Sequence, residues 1–158
     1  MKKDPLYSKL RIIAGQWRGR KLAFVPVPGL RPTPDRVRET LFNWLMPVIR
    51  GARCLDLFAG SGVLGFEAAS RGAGRVNLVD DNTTVTRLLR EQAKMLGADG
   101  IRVTTADAFT FLQETPELFD IVFLDPPFRE ALLAGCIREL ETGGWLAAEA
   151  WIYIEAER

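Results

Sequence analysis

The sequence predicts an α/β fold, a doubly wound, mostly parallel sheet preceded by a small basic hairpin-and-helix extension. Three observations carry that expectation. From residue 53 onward, short apolar runs alternate with amphipathic segments, as strands do when crossover helices join them. The pattern GxGxxG, at Gly60, Gly62 and Gly65, follows directly on the first of those runs. The run "FDIVFL" reaches Asp125 and then "PPF", and two prolines can neither extend a strand nor donate to its ladder.

"RCLDLF" (53–58) reads as a buried strand, followed by a glycine turn and a helix over "VLGFEAASRG" that stops at Gly72. "RVNLVD" (75–80) is the next strand. From Thr83, the residues Val85, Leu88, Leu89, Met95 and Leu96 share one face at helical spacing, and Gly97 ends that helix. "IRVTT" (101–105) is the third strand, with a short helix through Phe109 and Leu112. "FDIVFL" (119–124) is the fourth, and "REALLAGCIREL" is a helix closed by Gly143 and Gly144. "AEAWIYIEA" (148–156) is a fifth strand. It is apolar on both faces, so burial on both sides and a neighbouring strand are expected for it. The sequence stops four residues after Ile154, and the expectation is that further strands are missing; otherwise this long edge would be open to pairing.

The first fifty residues differ in kind. "RIIAGQWRGRKLAFVPV" predicts short strands around turns at Gly15 and Gly19. "LRPTPDRVRETLFNWLMP" predicts a helix with Thr33 as N-cap, Pro34 and Asp35 in its first turn, and Pro47 at its end. Val37, Leu41, Trp44 and Leu45 form its expected core stripe. Residues 1–50 are therefore read as a basic extension and residues 51–158 as a cofactor-binding domain.

Composition narrows the function. Apolar residues make up 47% and charged residues 26%, ordinary for a globular domain of 158 residues. There is no histidine, which removes His-based triads and His metal ligation. No apolar run reaches membrane-spanning length, and Cys54 and Cys136 lack metal or redox spacing, so a reducing, cytoplasmic setting without metal or membrane is expected. The net charge of +1 hides an asymmetry: residues 1–50 hold 11 Lys/Arg against 3 Asp/Glu, and the remainder is acidic. A basic arm on an acidic body suits a polyanionic partner, and a solvated charged surface is the plainer reading.

The glycine turn and Asp80, 18 positions past Gly62 at the end of the next strand, suit a nucleotide, with Asp80 on a ribose diol. Asp56 distinguishes the ligands. A carboxylate ahead of the turn repels a pyrophosphate and welcomes the cationic S-adenosylmethionine, although it also suits a bond to the turn backbone. Asp107 is placed for adenine or for capping the helix after it, and Asn82 for ribose or for capping.

"DPPF" has a chemical reading as well. An exocyclic amine on a base is a poor nucleophile because its lone pair is delocalised into the ring. Asp125 and the Pro126 carbonyl can accept its two N–H groups and localise that pair for attack on a sulfonium methyl. Phe128 offers a stacking face, worth about 1–3 kcal/mol.

"DLFAGSG", "LVD" and "LDPPF" together resemble the class I S-adenosylmethionine-dependent methyltransferases that modify exocyclic amines. With "RIIAGQWRGRKL" and "RPTPDRVRETLFNWL" in front, the chain resembles the RsmD family, bacterial 16S ribosomal RNA guanine-N2 methyltransferases, over residues 11–155. That resemblance implies a Rossmann-like methyltransferase sheet of seven strands, whose last two form a hairpin beside the fifth, where this chain stops. It also implies S-adenosylmethionine as cofactor, with Phe58 and Ala108 joining Asp56, Gly60, Gly62, Asp80 and Asp107 around it. The implied partner is 16S rRNA on an assembled or assembling small subunit, gripped by Arg18, Arg20, Lys21, Arg31, Arg36 and Arg38. A full-length monomer is expected, with edge-strand pairing open to this chain. N6-adenine methylation, glutamine-amide methylation and a non-catalytic RNA-binding module with a vestigial pocket are the alternatives.

Overall fold

A computed structural model describes residues 7–26, 32–126 and 130–155 of the chain. An antiparallel hairpin of β1 (Ser8–Arg11) and β2 (Lys21–Phe24) comes first, then α1 (Asp35–Ile49). The body follows as β3 (Arg53–Asp56), α2 (Val63–Ser70), β4 (Arg75–Asp80), α3 (Thr83–Leu96), β5 (Ile101–Thr105), α4 (Ala108–Phe111), β6 (Phe119–Leu124), α5 (Glu130–Thr142) and β7 (Leu146–Ile154). The sheet order is β5-β4-β3-β6-β7, parallel throughout. From β3 the chain steps outward through β4 to β5, then crosses back to lay β6 on the other flank of β3. That reversal between β3 and β6 is where doubly wound sheets open a ligand crevice.

Both faces of the three central strands β3, β4 and β6 are covered, which is why those strands read as largely apolar runs. Along β6, Ile121 and Phe123 join the core beneath α1, α2 and α3, while Val122 and Leu124 join the one beneath α4 and α5. The Phe42 ring of α1 lies 6.0 Å from that of Phe123. The N-terminal segment shares this core: Ile12 and Leu22 are buried in the same cluster as α2. The β2 backbone also bonds α3, with Ala23 N–H donating to Gln92 Oε1 at 3.1 Å.

Several expectations are corrected. The buried stripe of α1 is Arg38, Leu41, Phe42, Leu45 and Ile49, whereas Val37 faces outward and Trp44 is 71% exposed. The two stripes share Leu41 and Leu45, so helical spacing alone cannot separate them; the partner waiting for Arg38 does. Thr33 does not cap α1. Pro34 takes that position, and the Thr33 hydroxyl donates to Glu155 Oε2 at 2.8 Å. Pro47 sits inside the last turn, where one forgone backbone bond does not stop a helix whose Ile49 is buried. Met95 is exposed while Leu88 and Leu89 pack inward. β7 starts two residues earlier than expected and lies at the sheet edge, with Trp151 and Ile154 exposed, so burial on both faces does not hold among the described residues. Both cysteines are buried and free, and no helix among the described residues is long and apolar enough to cross a membrane.

Gly65 gives this packing a test. A Cβ there would lie 2.2 Å from Leu78 Cδ2 and 3.1 Å from Val76 Cγ1, so α2 rests directly on β4. Overpacking costs about 1–3 kcal/mol, and alanine returns about 1 kcal/mol of helix propensity. With an overlap this deep the clash dominates, and Gly65→Ala is expected to lower unfolding stability by about 1–2 kcal/mol in urea titrations.

Candidate cofactor and substrate site

The register of β3 against β6 builds the site. Asp56 closes β3 opposite Phe123, and the Leu57 N–H donates to the Phe123 carbonyl at 3.4 Å. Asp125 lies two residues beyond Phe123, so both carboxylates sit at the same carboxyl-end rim, at the reversal of strand order. Asp80 closes β4 on the other side of β3. Its Oδ2 accepts from Gly60 N–H at 3.0 Å and its Oδ1 from Asn82 N–H at 3.0 Å, so it fastens the glycine turn in place. Gly62, at φ +78°, caps α2, and a Cβ there would meet Leu89 Cδ2 at 2.6 Å and the Phe66 ring at 2.7 Å. Both the backbone angle and the space demand glycine.

The electrostatics of the rim are those of crowded acids. Asp56 is buried, and its Oδ1 accepts one bond, from Phe58 N–H at 3.3 Å. Burial pushes its pKa up to about 8, and the negative charges of Asp125 and Asp80 add to the rise against that single lowering bond. Asp80 is also raised, chiefly by burial. Among the described residues, no cation contributes to either shift.

Other predicted residues have their places too. Asp107 caps α4, accepting from Thr110 N–H at 2.9 Å and Thr110 Oγ1 at 2.6 Å, and those bonds hold it below the usual carboxylate range. Ala108 begins that helix and is buried, with Phe58 packed against the same core. Asn82 takes the capping role, accepting from Thr84 and Val85 N–H at 2.9 and 3.1 Å. Asp125 and Pro126 follow directly on β6, half-buried at its tip. Phe128 and Arg31 lie outside the described residues. Among the described residues no acidic, cysteine or histidine cluster could hold a metal ion.

The basic residues divide. Arg18, Arg20, Lys21 and Arg36 are exposed. Arg36 also lines a groove of about 290 Å³ between α1 and β7, together with Val37, Thr40, Leu41, Trp44 and Tyr153. Arg38 is a correction. It is 0% exposed, with its Nε donating to the Thr33 carbonyl at 3.1 Å and its Nη1 to the Arg11 carbonyl at 3.0 Å and Glu67 at 3.3 Å. Its Nη2 pairs with Asp35. With four of its five N–H groups so engaged and no exposed surface, this guanidinium is not presented to a phosphate.

Four further residues, none of them marked by a sequence motif, shape this region. Tyr153 pairs with Phe123 across β6 and β7, and burial and the charges of Glu155 and Asp125 push its hydroxyl up to about 12. Glu155 N–H donates to the Leu124 carbonyl at 3.0 Å while its side chain holds Thr33, tying the start of α1 to the Asp125 rim. Lys9 and Arg11 alternate on β1, and Arg11 faces Lys21 across the hairpin, so all three share one face. That last alignment was readable from the period of two once the hairpin was paired; the first two depend on sheet register alone.

Known proteins match nearly the whole of this chain. The family described as "Conserved hypothetical protein 95" matches residues 10–158. The chain is 54% identical over 158 residues to the ribosomal RNA small subunit methyltransferase D of Escherichia coli strain K12, covering 98% of this chain and 80% of that protein. It is 47% identical over 155 residues to the protein of the same name from Haemophilus influenzae, covering 96% of this chain and 80% of that one. The solved structure of a putative methyltransferase, yhhF, from Escherichia coli superposes with a TM-score of 0.86 at 54% identity, covering 93% of this chain and 81% of that one. The chain therefore belongs to the Conserved hypothetical protein 95 family, as its resemblance to the RsmD methyltransferases implied.

Proposed function

We propose that this chain moves a methyl group from S-adenosylmethionine to the exocyclic N2 of a guanine in small-subunit ribosomal RNA, on an assembled or assembling particle in the cytoplasm. Family membership supports S-adenosylmethionine-dependent methylation of small-subunit rRNA. The choice of guanine N2 rests on the two N-terminal sequence blocks. One observation carries the chemistry: Asp56 and Asp125 share a rim at the point where strand order reverses, with Asp80 beside them.

The donor set fits this cofactor. A buried carboxylate pressed by two further negative charges favours a cationic ligand and opposes a pyrophosphate. Asp56 would hold the methionine ammonium, Asp80 the ribose diol, and Asp107 with Ala108 the adenine. Phe58, Gly60 and Gly62 would shape the floor beneath them. When bound, S-adenosylmethionine supplies an electrophilic methyl on a sulfonium. Asp125 and the Pro126 carbonyl accept the two N–H groups of the base and localise the nitrogen lone pair toward that methyl. Asp125 would take the proton that the nitrogen releases as it gains the methyl, or pass it to solvent. Phe128 is assigned the stacking face by its place in the motif.

Arg18, Arg20, Lys21 and Arg36 supply phosphate contacts that grip without reading sequence, and Arg31 joins them by position. The hairpin supports that assignment. Arg11 directly opposite Lys21 is an unfavourable like-charge pair in isolation, and a phosphate relieves it.

Incubating the protein with labelled S-adenosylmethionine and small-subunit particles lacking the modification, then mapping the label, is expected to find it on a guanine N2. Label on an adenine would refute the base assignment. Asp125→Ala is expected to keep cofactor binding within about threefold and to slow transfer about 10²- to 10³-fold, the scale of removing one aligned transition-state partner. Transfer at the unaltered rate would refute the lone-pair mechanism. Asp56 adds a pH test. Its folded pKa is raised, so its contribution to the ligand-free fold is complete below the unfolded value of 3.8 and is lost as pH rises through about 8. The thermal midpoint of the ligand-free protein should fall across that window. Asp56→Asn should flatten the fall and weaken cofactor binding in calorimetry.

A further inference from the structure

We infer that Glu67 is a positioning residue that holds the basic N-terminal arm at a fixed offset from the cofactor turn. The inference rests on the reading that this arm grips RNA. Glu67 lies in the middle of α2 with its side chain 0% exposed, and nothing in the methyl-transfer chemistry uses it. Its Oε1 accepts from Ile13 N–H at 2.8 Å and from Arg38 Nη1 at 3.3 Å. Its Oε2 accepts from Ala14 N–H at 3.1 Å and from Arg71 Nε at 2.9 Å. One carboxylate thus gathers the arm, the start of α1 and the end of α2.

One turn further on, Ser70 repeats the attachment. Its Oγ accepts from Trp17 N–H at 3.0 Å and donates to the Ala14 carbonyl at 2.6 Å, while its own carbonyl accepts from Gln16 N–H at 2.9 Å. Glu67 and Ser70 are three residues apart, so both face the same side of the helix. The turn lies flush on that face: at Gly15, φ +87°, a Cβ would stand 2.0 Å from the Ser70 carbonyl oxygen.

α2 is the element that makes this attachment matter. It opens at Gly62, inside the cofactor turn, and closes at Ser70, under the arm. Eight helical residues make a strut of about 12 Å. A phosphate held at Arg18 or Arg20 is therefore held at a set distance from the reacting methyl. Two backbone amides bonded to a buried charge fix that distance far better than a flexible hairpin would. Arg38, withdrawn from the RNA surface, balances the charge of Glu67 so that both stay buried.

The test compares Glu67→Gln, the milder Ser70→Ala and an arm variant, Arg18→Ala/Arg20→Ala, on small-subunit particles and labelled S-adenosylmethionine. Glu67→Gln is expected to raise KM for the particle about tenfold and Ser70→Ala about threefold. Both should leave kcat at saturating particle and cofactor Kd within about twofold, and Glu67→Gln should speed amide exchange at Ile13 and Ala14. A cofactor Kd that weakens in step with the particle KM would reduce Glu67 to a structural residue and overturn the inference. So would an unchanged KM in both variants beside a raised one in the arm variant. An unchanged KM in the arm variant would instead refute the RNA reading of the arm, and the positioning role with it.

Discussion

The parallel pairing of β3 with β6 is the constraint on which the rest of the molecule depends. These strands are more than sixty residues apart in sequence, yet their register puts Asp56 opposite Phe123 and so brings Asp125 to the same rim. Both strands are buried on both faces, and a one-residue slip would turn every core side chain of one strand to the opposite face. The cost of that slip secures the relative height of the two carboxylates. Burial and the neighbouring negative charges of Asp125 and Asp80 then lift Asp56 toward about 8, an environment that favours a cationic ligand.

A second buried charge organises the N-terminal third. The pair of Glu67 and Arg38 is weak evidence of stability by itself, because desolvating both partners offsets much of their attraction. Removing either alone would strand a charge in the core and cost about 3–5 kcal/mol. The consequence is geometric. A basic segment that by composition resembles a mobile tail is packed along α2, with Ile12 and Leu22 in the common core. Exposed Arg18, Arg20 and Lys21 are carried on a frame that begins at the cofactor turn.

Much of this was legible in the residues. The boundaries of β4 and β6 fall where their apolar runs begin and end, because a strand buried on both faces has few polar positions to blur the pattern. The glycine turn, Asp80 and Asp125 stand where strand ends were expected, since Gly62 needs a left-handed backbone and Pro126 stops a strand whatever surrounds them. Asp107 and Asn82 take the local capping roles that their positions allowed. The rotation of α1 was not legible: its two candidate stripes share Leu41 and Leu45, and Trp44 outranks Arg38 on any hydrophobicity scale. Nor were Glu67, Tyr153 and Glu155, whose partners lie on other elements.

The sequence by itself determined the fold class, the strand that carries each acid and the backbone at the glycine turn. Those follow from short-range physics: side-chain periodicity, the freedom of glycine and the missing N–H of proline. Tertiary structure alone decided which acids share a crevice, which arginine is withdrawn from solvent and how the arm is held against the cofactor helix. Those are long-range questions of pairing and desolvation. A buried guanidinium such as Arg38 is stable only where Glu67 and three further acceptors converge on it, and only the folded chain brings them together.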